Sequence, residues 1–374
     1  MTRKLYIRPI ALADSPQAEE GEAIRLGGSM VWASRFALIV REGTKVISRE
    51  RFGVAEFAGK LAVLSEDLAA QAREQWAALQ KVHAPLNLPL RDGAVRTIRL
   101  DQPQVMGILN MTPDSFSDGG KFLDNAEVAF DHAAKMLEAG AAIIDIGGES
   151  TRPGAAAVWE GDELARIVPM VERLAAAGAA ISLDTRRAGV MEGGLAAGAQ
   201  IINDVSALRH DPRSRELAAS SGAPVVLMHA PGEGDDLHGD GNYADVLLDV
   251  FDWLADARDQ AIAAGIARER ILLDPGIGFG KTLAENLALM NGLALFHALG
   301  QPILFGASRK RMIGALSNEA PAHQRLGGSV ALALKAVEAG SHIVRVHDVY
   351  DTVQAIRVWR GMRDEALTDF RALP

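Results

Sequence analysis

The chain has 374 residues, 48% of them hydrophobic, enough to bury the core of one large domain and a small one. Its formal net charge of −9 leaves no global basic field to recruit nucleic acid or an anionic membrane surface. Cysteine is absent, which excludes disulfide scaffolds and thiolate metal sites and fits a reducing compartment.

In chain order, Met1–Pro9 carries positive charge but no apolar h-region, so a secretory signal is not expected. No later stretch reaches the roughly 18 consecutive apolar residues of a membrane helix, and a cytoplasmic location is expected. Phe36–Val40 and Val46–Ser48 flank Glu42-Gly43-Thr44 and predict a hairpin. Ser65–Val82 predicts an amphipathic helix with Leu68, Ala72, Trp76 and Leu79 on one stripe. His83–Pro89, with two prolines, reads as linker, and Val95–Leu100 as a strand at the base of the larger, C-terminal domain. Residues 1–95 hold no catalytic constellation and are expected to form a small α+β appendage; residues 96–374 are expected to form the catalytic domain.

From Val105 onward a helix–glycine–strand unit recurs. Helical runs end at Gly140, Gly178, Gly198, Gly222, Gly265, Gly300 and Gly340, where glycine can take the left-handed conformation that closes a helix. Apolar runs come next: Ala142–Ile146, Ala180–Leu183, Ile201–Ile202, Pro224–Met228, Ile271–Leu273, Ile303–Phe305 and His342–Val346, with Val105–Leu109 before all of them. Near-continuous apolar runs suit strands buried on both faces of a parallel sheet. The segments between have helical spacing: Leu164, Ile167, Val168, Val171 and Leu174 share one face, as do Val246, Leu247, Val250, Phe251 and Leu254. Eight strands alternating with helices over about 270 residues predict an α/β fold, a (β/α)₈ TIM barrel, with a doubly wound open sheet as the alternative.

Each apolar run ends in polar residues: Asn110; Asp145 and Glu149-Ser150-Thr151-Arg152; Asp184; Asn203-Asp204; His229; Asp274; Ser308-Arg309-Lys310; and Arg345 with His347. Unpaired polar groups cost several kcal/mol in a core, so they are expected to line a cleft at the strands' C-terminal ends. Arg345, His347, Asn110 and Arg152 suit a phosphate or pyrophosphate, Arg binding it in a fork. Asp184, Asn203 and Asp274 suit a flat heterocycle rich in N–H donors. Gly276–Thr282 resembles a P-loop but holds Pro275 where that motif needs its first Gly; its glycines are expected to let the backbone approach a ligand. His229, Asp235, Asp236, His238 and Asp240 sit among Pro231, Gly232, Gly234, Gly239 and Gly241, and read as a solvated loop rather than a metal site.

As they stand, several long motifs resemble dihydropteroate synthases. They are Met106-Gly107-Ile108-Leu109-Asn110-Met111-Thr112-Pro113-Asp114-Ser115-Phe116-Ser117-Asp118-Gly119-Gly120 and Asp145-Ile146-Gly147-Gly148-Glu149-Ser150-Thr151-Arg152-Pro153-Gly154. Shorter matches lie at Ser182–Thr185, Ile202–Val205, Leu227–His229, Asp274–Lys281, Ser308–Lys310 and Arg345–Asp348. Met111 and Ala230-Pro231 depart from the usual pattern. The resemblance implies condensation of 6-hydroxymethyl-7,8-dihydropterin pyrophosphate with p-aminobenzoate, giving 7,8-dihydropteroate and pyrophosphate, in a homodimer that uses Mg²⁺ and is a sulfonamide target. It implies that Asp184, Asn203, Met228, Asp274 and Lys310 hold the pterin. Asn110, Arg152, Arg345 and His347 would hold the pyrophosphate, with Mg²⁺ on Asn110. Phe116, Thr151, Pro153, Phe279, Ser308 and Lys310 would shape the p-aminobenzoate pocket, and Asp184, Asp274, Lys310, Arg345 and a protonated His347 would carry the catalysis. The alternatives are a pterin-binding methyltransferase acting on a folate methyl group and a catalytically silent paralogue.

Overall fold

The computed structural model describes residues 3–13, 21–112, 126–152, 154–155, 158–232, 234, 236–239 and 241–365. Its N-terminal sheet is built around β3 (Trp32–Glu42), which pairs antiparallel with β1 (Arg3–Ala13), β2 (Ile24–Arg25) and β4 (Lys45–Gly53). The expected β3–β4 hairpin turns at Gly43, where φ is +58°. Strand β1 was not expected: Leu5, Tyr6 and Ile7 are buried in succession, so no alternation betrays them. Two helices come next, α1 (Phe57–Ala62) and α2 (Glu66–Leu79). Trp76 of α2 stacks on Phe57, with centroids 4.2 Å apart, and meets Phe36 and Phe52 of the sheet. Helix α2 also covers β1: Gln71 Oε1 accepts from Leu5 N and Gln75 Oε1 from Ile7 N, both at 2.9 Å. An edge strand's donors are thus closed by side chains.

Leu86–Pro89 forms β5, paired antiparallel with β6 (Val95–Ile98). This corrects the linker reading of His83–Pro89. Leu86 and Leu88 alternate with exposed Asn87 and Pro89, a short strand pattern hidden between prolines. The hairpin plugs the barrel's N-terminal end. Leu86, Leu88, Ile98 and Leu100 pack with Met106, Ile143, Ala180, Ile201, Val226, Leu272, Leu304 and Ile343. The boundary expected between residues 95 and 96 falls inside β6, so appendage and barrel meet inside one hydrogen-bonded unit.

The barrel strands are β7 (Gln104–Asn110), β8 (Ile143–Gly147), β9 (Ile181–Asp184), β10 (Ile201–Asp204), β11 (Val225–Met228), β12 (Ile271–Asp274), β13 (Leu304–Phe305) and β14 (Ile343–Val346). They correspond one to one with the apolar runs. They pair in parallel in the order β12-β11-β10-β9-β8-β7-β14-β13, and a parallel bridge from Leu273 to Ile303 brings the two ends together. That bridge rules out the open sheet. The outer helices are α3 (Ala126–Ala139), α4 (Glu160–Ala176), α5 (Ala188–Ala196), α6 (Ser214–Ser221), α7 (Val246–Ala263), α8 (Leu283–Gly292), α9 (Arg311–Leu316), α10 (Leu326–Glu338) and α11 (Val349–Arg363). All seven helix-ending glycines take positive φ. No helix among the described residues is long and apolar enough to cross a membrane.

Appendage and barrel share a continuous apolar core, with Tyr6 edge-on to Phe251 at 5.5 Å. Arg41 of β3 reaches Asp249 and Asp252 of α7, each at 2.5 Å. Beside this seam lie three histidine rings, His83, His342 and His297, with successive centroids 5.0 and 5.5 Å apart. His342 Nδ1 accepts from Ile303 N, so its Nε2–H donates to Gly27 O, both at 3.0 Å. Only the neutral ring can do both.

Candidate active site

The parallel registers align the C-terminal ends of the barrel strands at one mouth. Asp184 at the end of β9 stands opposite Asn203 on β10, and Asp274 at the end of β12 opposite Met228 on β11. Arg345 on β14 reaches across the barrel: its Nε donates to Asp145 Oδ2 at 2.6 Å and its Nη2 to Asp184 Oδ2 at 2.5 Å. Asn203 Nδ2 donates to both oxygens of Asp145, at 3.3 and 3.2 Å. Asp145 is fully buried and joins the group, yet residue type alone assigned it no role. The signal was its place inside a strand, between Ile144 and Ile146, where a charge must find a partner.

Two carboxylates therefore share one guanidinium. Burial pushes Asp184 up to about 7; Arg345 pulls it back down, and Asp145 pushes it further up. Burial works against the charge on Arg345, but Asp145 and Asp184 outweigh it and hold the guanidinium charged. Asp274 is also raised by burial, opposed chiefly by Lys310, and its Oδ1 accepts from Gly276 N at 2.7 Å. Burial lowers Lys310 to about 8. The Lys310 ammonium donates to Ile277 O and lies 4.6 Å from the Phe279 ring centroid. Met228, Phe279, Leu237, Val205 and Ala230 make a small apolar shelf beside these charges.

His347 is not the expected imidazolium. Burial, then the charges of Arg309, Arg345, Arg152 and Lys310, hold it well below its ordinary value. Ser308 Oγ accepts from His347 N at 3.2 Å and lies 3.1 Å from Nδ1, which fixes the ring's place beside Ser308. Arg309 turns away from the mouth, with φ +58°, and grips Asp348 through Nε and Nη2 at 3.0 and 2.5 Å. Asn110 is half-buried at the end of β7 and Arg152 is exposed beyond β8. Phe116 and Pro153 lie outside the described residues.

The glycines after β12 allow close packing of the loops. A Cβ on Gly276 would lie 1.8 Å from His229 O, and one on Gly280 would lie 2.2 Å from Pro231. Gly276 and Gly280 approach the neighbouring loop, and Gly278 lies against the stem of Lys310. The wrapped loop encloses Lys281, whose ammonium reaches Gly276 O at 2.8 Å, Phe279 O at 3.0 Å and His229 Nδ1 at 2.9 Å. Burial pushes Lys281 down to about 7 and His229 well below its ordinary value, with Lys281 adding to the latter shift. His229 is thereby committed to this lock. His238 is half-buried rather than solvated. Behind the β8 end, Glu149 takes Arg186 and Arg187, each at 2.9 Å, and Arg187 also holds buried Glu163 at 2.8 Å.

A closed parallel barrel with carboxylates, an amide and fixed cations over an apolar shelf defines an enzyme for a polar heterocycle bearing an anionic group. The profile of the family described as "Pterin binding enzyme" matches residues 106–347. A dihydropteroate synthase of Escherichia coli strain K12 is 48% identical over 263 residues, covering 70% of this chain and 92% of the relative. One of Neisseria meningitidis serogroup C is 48% identical over 267 residues, covering 71% and 94%. Among solved structures, Xanthomonas albilineans dihydropteroate synthase in complex with 7,8-dihydropteroate superposes with a TM-score of 0.65. It is 40% identical and covers 77% of this chain and 100% of its own. The chain belongs to the dihydropteroate synthases, pterin-binding transferases of folate biosynthesis. The matched region begins at residue 106, after the appendage and the plugging hairpin.

Proposed function

We propose that this chain joins 6-hydroxymethyl-7,8-dihydropterin pyrophosphate to p-aminobenzoate, and that the residues at the mouth divide the work. The observation that carries the reading is the Asp145–Arg345–Asp184 cluster with Asn203, a set of acceptors locked in place beside a fixed positive charge. Asp184, Asn203 and Asp274 accept the ring's N–H donors, Met228 packs against its face, and Lys310 donates to a ring acceptor. Arg345, Arg152, the His347 imidazole and the Asn110 amide receive the pyrophosphate. As the exocyclic C–O bond breaks, pyrophosphate leaves with the electron pair and these groups stabilise its charge. The carboxylates of Asp184 and Asp274 stabilise the pterin cation left behind. The aniline nitrogen then forms the new C–N bond and loses its proton. Phe279, Thr151, Ser308 and Lys310, with Phe116 and Pro153, shape the pocket that orients this weak nucleophile.

Mg²⁺ fits this site only in company with substrate. Among the described residues no group of three or more His, Asp or Glu is arranged to hold a metal. Asn110 offers one neutral amide oxygen, which suits an ion held mainly by phosphate oxygens and water. Bound there, Mg²⁺ would neutralise part of the pyrophosphate charge. We further propose a cytoplasmic location and a homodimer, the latter supported by Tyr350, Val358 and Met362 exposed on α11 and Leu326 exposed on α10, which packs against it. Residues 1–95 are read as a base-side appendage that takes no part in the chemistry.

The test is to incubate the protein with both substrates and Mg²⁺ and to measure both products. Equal amounts of dihydropteroate and pyrophosphate are expected, and a folded protein that yields neither would refute the reading.

A further inference from the structure

We infer that His238 is a positioning residue for the aromatic-amine subsite, holding Phe279 and the backbone at Thr151 in one fixed relation. The inference rests on the function proposed above. His238 lies in the segment between β11 and α7, which sequence pattern marks as solvated loop. Its imidazole instead stacks on Phe279, with centroids 4.9 Å apart and planes 8° from parallel. Its Nε2–H donates to Thr151 O at 2.8 Å.

The ring is itself held. His238 N donates to Asp236 Oδ1 at 3.0 Å, and neighbouring Leu237 is buried in the same apolar shelf as Phe279 and Met228. One imidazole therefore ties together three loops, those after β8, β11 and β12. Phe279 also has the Lys310 ammonium 4.6 Å from its centroid. A benzene ring entering beside Phe279 thus meets an aromatic plane whose tilt is already set, next to a Thr151 whose backbone is already placed. His238 itself bonds to none of the pterin-binding side chains and reaches Met228 and Lys310 only through Phe279, while Asp145, Asp184, Asn203 and Arg345 are held by one another. The consequence falls on the second substrate.

Four proteins decide it: wild type, His238→Ala, His238→Phe (ring kept, donor lost) and His238→Gln (donor kept, ring lost). Initial rates are measured with each substrate varied in turn, and thermal melting checks that each variant is folded. His238→Ala is expected to raise the KM for p-aminobenzoate about tenfold, from the loss of one stacking contact and one hydrogen bond. The KM for the pterin pyrophosphate should move less than about twofold, and the two conservative variants should fall in between. Calorimetric titration of p-aminobenzoate into protein loaded with pterin and pyrophosphate should show the same weakening. An unchanged KM for p-aminobenzoate in folded His238→Ala would overturn the inference. Equal rises in both KM values would overturn it too, because they would mark a structural role. A wild-type protein that forms no product would instead defeat the proposed function, and the inference with it.

Discussion

At the N-terminal end of the barrel, Leu86, Leu88, Ile98 and Leu100 close the bore with apolar surface. The nearby polar rings there are mostly satisfied by backbone: His342 by Gly27 O and Ile303 N, and His297 Nε2 by Ala339 O. At the C-terminal end, side chains bond to side chains, and Asp145, Asp184 and Arg345 stand as two negative charges around one positive. The buried histidines of the base are most stable uncharged. The mouth is built so that one carboxylate lacks full compensation until something else arrives. A ligand whose N–H groups donate to Asp184 supplies that compensation. Stability and function are thus separated along a single barrel axis.

Breaking the mouth should therefore cost turnover, and breaking the base should cost stability. The largest effect is expected from Asp184→Asn, which keeps shape but removes the charge facing the ring and the developing cation. Steady-state kinetics should show kcat/KM lowered on the order of 10²–10³-fold, with no loss in thermal stability. At the base, Leu88→Ala should lower the unfolding free energy by about 2–5 kcal/mol in denaturant titrations. Both KM values should stay within about twofold of wild type.

A pH titration sharpens the contrast, because the two ends respond with opposite sign. His297 and His342 are held down to about 3 and about 4 by burial. Their contribution is complete above the ordinary histidine value and is lost as pH falls from there through about 4. Lowering the pH from 7 to 5 should cost on the order of 2 kcal/mol for each. Asp184 is raised to about 7, so its contribution is complete near pH 4 and is lost as pH rises through about 7. Chemical denaturation between pH 4 and 8 should give a pH slope that His342→Asn reduces and Asp184→Asn alters in the other direction. In the free enzyme kcat/KM should fall below about pH 7 as Asp184 takes up its proton. The smallest effect is reserved for the exposed rim of the appendage. Lys4, 2.9 Å from Asp252 but 54% exposed in its side chain, should change stability by less than about 0.5 kcal/mol when replaced by Ala.

The same division governs how much was legible in the sequence. All eight barrel strands announced themselves, because a strand buried on both faces is an apolar run, and seven of them follow a helical segment that stops at a glycine with positive φ. Asp184, Asn203, Asp274 and Arg345 were legible as polar residues closing those runs, and the structure brings them together. Three things were not. Leu86–Pro89 was obscured by its prolines, and β1 by Leu5-Tyr6-Ile7, which lacks alternation. The partners of Arg345 were hidden because Asp145 lies 200 positions away in the chain. The lowering of His347 depends on burial first, and then on four surrounding cations, all of which only the fold assembles. Sequence pattern reveals which residues end a strand; which charge offsets which is decided across the barrel.

The central claim is that the mouth recognises a pterin and an anion as one ligand. The direct measurement is calorimetric titration of 6-hydroxymethyl-7,8-dihydropterin pyrophosphate and of the corresponding alcohol into wild type and Arg345→Ala, with Mg²⁺ throughout. Wild type should prefer the pyrophosphate ester. In Arg345→Ala that preference should shrink by roughly ten- to a hundredfold, the worth of a charge-assisted hydrogen bond. If both ligands weaken equally, Arg345 serves only to hold Asp145 and Asp184, and the division of labour at the mouth is wrong.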